Sequence, residues 1–152
     1  MMIRHKGIEH TVYGEAPFLA ARICAIGCSR GCPGCHNEHL KNDDSLIRIQ
    51  EVQEIVEEVR SNFFNEGLVL GGLEWTEQVE EMQALIIACQ VAGLEVMVYT
   101  GMTEEQFKEL EVVGEFWVKY GSYQEGSQPH EMFGVKLASS NQIIKKYSHN
   151  TL

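Results

Sequence analysis

Three cysteines crowded into eight residues constrain this chain more than any other feature. They lie in Gly27-Cys28-Ser29-Arg30-Gly31-Cys32-Pro33-Gly34-Cys35-His36-Asn37, with spacing C-x3-C-x2-C. In a reducing compartment such crowding points to a metal or redox site rather than to disulfides. A short loop with this spacing can aim three thiolates at three corners of a cube. A [4Fe–4S] cluster usually takes four cysteines. Three leave one iron open, as catalytic metal sites keep a position free for substrate. An open iron can chelate the amino and carboxylate groups of a methionine moiety, and an electron can then cleave the adjacent sulfonium bond. Gly31, Pro33 and Gly34 let the backbone wrap closely around an inorganic cube.

Other readings of the loop stay open. Three cysteines plus His36 or His39 make a Cys3His zinc set, although zinc sites more often come as two paired knuckles and the chain has no second C-x2-C. A plain redox thiol loop is a third reading. The remaining cysteines read as core. Cys24 falls on a buried-strand pattern, which favours core over a fourth cluster ligand, and Cys89 on the apolar stripe of a helix, where a thiol serves as a small hydrophobe.

With 152 residues the chain suffices for one domain, spanning 1–152, with a real core. Twelve basic against 22 acidic residues give a net charge of −10. Such a surface repels phosphate backbones, so nucleic-acid partners are not expected. The acidic runs Glu54/Glu57/Glu58 and Glu77/Glu80/Glu81 read as solvated helix faces. No apolar run approaches the ~18–20 residues that cross a bilayer. The opening MMIRHKGIEH lacks the pattern of a signal peptide. The expectation is a cytoplasmic protein with no membrane partner.

Along the chain, strands and helices alternate. Ala20–Ile26 is a small, apolar run suited to a buried strand that empties into the cysteine loop. Between Gln50 and Asn62, Val52, Ile55/Val56 and Val59 fall at helical spacing. Leu68-Val69-Leu70 reads as a short buried strand ending at Gly71-Gly72. Thr76 is placed to cap a helix with the stripe Val79, Met82, Leu85/Ile86 and Cys89, closed by Gly93. Glu95–Thr100 is a strand. Thr103 and Gln106 spell a capping box for a helix that buries Phe107 and Leu110. Phe116–Tyr120 is a further strand, Gly121–Glu131 a loop and Val135–Ala138 a last strand. Ser139 or Ser140 is placed to cap a terminal helical segment.

This alternation predicts right-handed βαβ units and a parallel sheet. A closed eight-fold barrel needs roughly 250 residues. The expected fold is therefore α/β, an open partial (β/α) barrel of about five or six units. Function in such folds sits at the C-terminal ends of strands. The cysteine loop, Gly71-Gly72-Leu73-Glu74 and Tyr99-Thr100-Gly101 are all expected there. A glycine pair after a buried strand lets backbone approach a ligand, or simply turns the chain. Trp75 and Trp117 read as core aromatics.

C-x3-C-x2-C after a first strand resembles the radical S-adenosylmethionine enzymes. Cys35-His36-Asn37 narrows the likeness to the activating enzymes of glycyl-radical enzymes, above all the small activases of anaerobic (class III) ribonucleotide reductase. Val98-Tyr99-Thr100-Gly101-Met102-Thr103, Val118-Lys119-Tyr120-Gly121 and Leu137-Ala138-Ser139-Ser140-Asn141-Gln142 resemble further stretches of those activases, so the likeness runs from about Cys28 to Gln142. It implies a radical-SAM fold in which Cys28, Cys32 and Cys35 hold a [4Fe–4S] cluster. Gly34 and His36 would lie against S-adenosylmethionine, Gly71 and Gly72 would meet its amino group through their backbone, and Glu74 would be the acidic partner of that ammonium. In the family the acid directly follows the two glycines; here Leu73 intervenes. The N-terminal Gly14-Glu15-Ala16-Pro17-Phe18 also departs from the family's opening. The implied partners are a large glycyl-radical reductase subunit and an electron donor such as flavodoxin or ferredoxin. Two other functions remain on the table: another small radical enzyme acting on a metabolite or peptide, and a metal-stabilised binding module.

Overall fold

The computed structural model describes residues 1–32, 34, 35 and 37–150. Its centre is a six-stranded mixed sheet. Strands β2 (Ile8–Val12), β3 (Ala20–Cys24), β5 (Gly67–Gly71), β6 (Glu95–Tyr99), β7 (Gly114–Tyr120) and β10 (Ile143–His149) form it. Their order is β10-β7-β6-β5-β3-β2. β3, β5, β6 and β7 run parallel, whereas β2 and β10 are antiparallel edges. β1 (Met2–His5) and β4 (Arg48–Glu51) make a separate antiparallel pair, and β8 (His130–Met132) and β9 (Val135–Leu137) a hairpin.

Helix α1 (Glu38–Lys41) follows the cysteine loop. Helices α2 (Val52–Ser61), α3 (Val79–Val91) and α4 (Glu104–Lys108) belong to the three crossovers between the parallel strands. They pack on one face of the sheet because their apolar residues and those of the strands share a stripe. Ile23, Leu68, Leu70, Val96, Val98, Phe116 and Val118 meet Ile55 and Val59 of α2, Met82, Leu85 and Ile86 of α3, and Phe107 of α4. The other face is smaller: Ala20, Val69, Met97 and Ile144 lie under Val135 and Leu137 of the hairpin. The central strand β5 is buried on both sides, as a parallel strand covered on both faces should be.

Local signals explain the helix ends. Gly93 has φ +79°, its N–H donates to Gln90 O (3.0 Å) and Leu94 N–H to Cys89 O (2.9 Å), which is the Schellman ending expected of a glycine after a helix. The Thr103–Gln106 capping box forms in full: Gln106 N donates to Thr103 Oγ1 (3.2 Å) and Thr103 N to Gln106 Oε1 (3.0 Å).

Several expectations need correction. The parallel part comprises three crossovers, not five or six units, because part of the chain is spent on β1, β2, β4 and the β8–β9 hairpin. The first buried strand ends at Cys24. The expected helix from Gln50 begins at Val52, since Gln50 and Glu51 pair with Ile3 and Met2. Thr76 does not cap α3; it lies in a 3₁₀ turn (Trp75–Gln78) that Glu74 caps. Ser139 and Ser140 precede no helix. Gln142 Oε1 accepts from Ala138 N (3.0 Å) and Ser139 N (3.3 Å), and the chain continues as β10 against β7. Among the described residues no helix is long and apolar enough to cross a membrane.

Candidate functional site

Parallel strands aim their C-terminal ends at one rim, and the cysteine loop leaves β3 at that rim. The turn after the neighbouring β5 grips the loop's entry. Glu74 N donates to Gly27 O (3.0 Å), Ile26 N to Gln78 Oε1 (2.9 Å), and Ser29 N and Oγ to Glu77 Oε2 (2.9 and 2.7 Å). Farther along, Lys41 Nζ donates to Arg30 O (2.7 Å) and Cys35 N to Cys32 O (3.1 Å). The loop is thus hung from two sides: the Glu74–Gln78 segment and α1.

Cys28, Cys32 and Cys35 are half-buried free thiols lining a single open cleft. Burial pushes the Cys28 thiol above its ordinary range, against the pull of the Arg30 backbone N–H. Metal binding would have to release that proton. Among the described residues no three His, Cys, Asp or Glu side chains converge on the position of a single metal ion. The three thiols line one cleft, where the thiolates of a [4Fe–4S] site would come together. Gly34, at φ +73°, packs beneath the loop after β7: a Cβ there would stand 3.1 Å from Glu125 Cδ and 3.3 Å from Tyr123 Cε2. His36 and Pro33 lie outside the described residues.

The same cleft is lined by Gly72, Leu73 and Glu74 from the end of β5 and by Thr100 and Gly101 from the end of β6. Gly71 is the last residue of β5 and is not part of the lining. Gly72 has φ +80°, and a Cβ there would run into the Cys24 side chain and stand 3.1 Å from Cys24 Cα. Glycine is therefore required at position 72 both by conformation and by space. Cys24 is buried below the rim, part of the core rather than of the cleft. Cys89 is fully buried in α3, its thiol pushed up to about 12 by burial.

Glu74 is the most heavily engaged side chain of the site, and only 4 % exposed. Its Oε2 accepts from Thr76 Oγ1 (2.8 Å) and Thr100 Oγ1 (2.9 Å). Its Oε1 accepts from Gly101 N (2.8 Å) and faces Arg30 Nε at 3.3 Å. Leu73, which displaces the acid by one position in sequence, turns into the core at 7 % exposure, so the longer turn still delivers a carboxylate to the cleft.

Sequence reasoning missed three wall residues. Arg30 reaches both Glu74 and Ser122 Oγ (3.1 Å), Lys119 stands with its Nζ 4.1 Å from the Tyr99 ring centroid, and Gln142 joins the turn before β10 to Gly121 O (3.2 Å). Burial pushes the Lys119 ammonium down to about 8, with Glu15 acting weakly in the opposite sense. Tyr99 also lines the cleft, and its hydroxyl donates to Glu15 O. Trp75 is wholly buried, its Nε1 shared between Ile23 O and Gly71 O, while Trp117 is half-buried against Phe133.

No curated protein matches the chain. The family model described as the 4Fe-4S single cluster domain matches residues 19–145, a span that begins just before β3, takes in the cysteine loop and every cleft residue named above, and ends within β10. A loop of three thiols opening into a cleft and a match over most of the chain agree, and the chain belongs to the family of 4Fe-4S single cluster domains: it is an iron–sulfur protein.

Proposed function

We propose that the protein is a radical S-adenosylmethionine activase that generates a glycyl radical on a large anaerobic ribonucleotide reductase subunit. The observation that supports this most directly is the meeting of Cys28, Cys32 and Cys35 with Gly72 and Glu74 in one cleft. In this reading a bound [4Fe–4S] cluster, charged by flavodoxin or ferredoxin, would supply the single electron for cleavage of S-adenosylmethionine into methionine and an adenosyl radical, which would take a hydrogen atom from a glycine Cα.

The protein's own part is to bind and orient. Cys28, Cys32 and Cys35 would hold the cluster, three thiolates leaving one iron free for the ligand. The Gly72 backbone, free of a side chain, allows the ligand's amino end to approach, and Glu74 offers it a negative charge. Gly34 and His36, the neighbours of the last cysteine in sequence, are read as contacts of the ligand. The open sheet is read as a partial (β/α) barrel, with the hairpin side left for a partner's loop, and the working place is the cytoplasm.

The test is direct. Anaerobically reconstituted protein, given reductant and S-adenosylmethionine, is expected to release 5′-deoxyadenosine, and with its partner to produce a glycyl radical signal in electron paramagnetic resonance. Intact, cluster-loaded protein that yields no 5′-deoxyadenosine would reject the reaction class. Cleavage without a partner radical would leave a radical enzyme acting on something smaller.

A further inference from the structure

A carboxylate offers about four lone-pair positions. Those of Glu74 are mostly taken: Oε2 accepts from Thr76 N, Thr76 Oγ1 and Thr100 Oγ1, Oε1 accepts from Gly101 N, and Arg30 Nε stands 3.3 Å from Oε1 as an ion pair. The hydrogen-bond donors belong to the turn itself or to the end of β6, and the Thr100 hydroxyl is further held by accepting from Met102 N (3.0 Å). Arg30 is the exception. It arrives from the cysteine loop on a long side chain that is 30 % exposed, and its second anchor is one hydroxyl, Ser122 Oγ, which in turn donates to Gly101 O (3.0 Å). It also lies at the junction of two spaces, lining the cysteine cleft and a neighbouring cavity of about 490 Å³.

An ammonium entering the cleft therefore finds its counter-ion already paired with a cation. Two cations cannot share Glu74 Oε1 without mutual repulsion, and leaving a buried carboxylate unpaired is costly. We propose that Arg30 is a stand-in for the ligand's ammonium: it neutralises Glu74 in the empty cleft and is displaced towards the neighbouring cavity when a cationic amine binds. This rests on the reading of Glu74 as an amine-binding carboxylate. Gly101 fits the role, because a Cβ there would stand 2.6 Å from Arg30 Cδ and push the guanidinium off Glu74.

Displacing a competitor lowers apparent affinity by the fraction of molecules in which the competitor is seated. Removing it raises affinity, which a merely structural arginine would not do. The experiment is equilibrium binding of S-adenosylmethionine to cluster-loaded protein under anaerobic conditions, with iron content checked for each variant. Arg30→Met is expected to bind about 10-fold more tightly than wild type, and Arg30→Lys, which keeps the charge, close to wild type. Glu74→Gln is expected to bind more weakly, and adding Arg30→Met to it to change nothing further. Ser122→Ala lies off the cysteine loop and loosens Arg30 without deleting it, so it is expected to tighten binding about 2-fold even where Arg30→Met fails to hold iron. Weaker or unchanged binding in the iron-loaded Arg30→Met or Ser122→Ala variants overturns the proposal while leaving the cofactor reading in place. A wild type that binds no S-adenosylmethionine overturns the cofactor reading and the displacement with it.

Discussion

The Thr100 hydroxyl donates to Glu74 Oε2 at 2.9 Å, so the turn after β5 is pinned to the end of β6 across the floor of the cleft. With Gly101 N on the other oxygen, one side chain fixes the relative height of two strand ends. The acid is thus part of the scaffold as well as of the site. Thr100→Val keeps the shape and removes the hydroxyl, leaving both a buried carboxylate oxygen and Met102 N short of a partner. Loss of about 1–3 kcal/mol of stability is expected, measured by denaturant unfolding.

Cysteine substitutions should divide by position. Cys28→Ala, Cys32→Ala and Cys35→Ala are each expected to lose the cluster, seen as loss of iron and of brown colour in anaerobic material. Cys24→Ala and Cys89→Ala, both in the core, are expected to keep it. Iron loss on replacing Cys24 would show that a fourth thiol had been misassigned to packing.

Gly72→Ala should be among the most damaging single changes. The residue sits at φ +80°, where a side chain is strained, and the new methyl would overlap Cys24. Strain and overpacking together are expected to cost about 2–4 kcal/mol, read as a lower denaturation midpoint. Cys24→Ala should relieve only part of this, because the Cys24 Cα and the backbone conformation remain.

Lys119 gives a pH signature of defined sign. Its ammonium is pushed down to about 8 by burial, below the ordinary 10.5 that it regains on unfolding. Between these values the unfolded chain binds the extra proton, so the contribution of Lys119 to stability rises with pH from about 8 to 10.5 and is at its least favourable below 8. Lys119→Met is expected to be more stable than wild type at pH 7, with the difference shrinking as the pH is raised through that window. A difference that stays constant would show that the ammonium is not desolvated.

The parts of the fold that the sequence made legible are those written in short-range chemistry. The Thr103–Gln106 box, Gly93 after α3 and the apolar strands β5 and β6 depend on neighbours within a few residues. Two failures are local, where Glu74 takes the capping role expected of Thr76 and Gln142 binds the turn at Ser139, and the others are long-range. The strand β10 carries Lys145-Lys146 in its middle and no clean alternation, and only pairing with β7 makes it a strand. Gln50 and Glu51 fit a helix by spacing but are taken by β1, nearly fifty residues earlier in the chain. In the site, the cysteines and the glycine–acid turn announce themselves by spacing. Arg30 does not, because its role depends on Glu74 and Ser122, brought close only by folding.

The two faces of the sheet leave different room for inheritance. On one side, helices and strands interlock through large side chains, and a change in one demands changes in several others. On the other, a hairpin of two three-residue strands rests on a few small and medium residues. Descendants of this chain can rebuild that cover, lengthen it or trade it away while the thiol loop and its carboxylate stay where they are. The hairpin face is therefore freer to vary than the helical one.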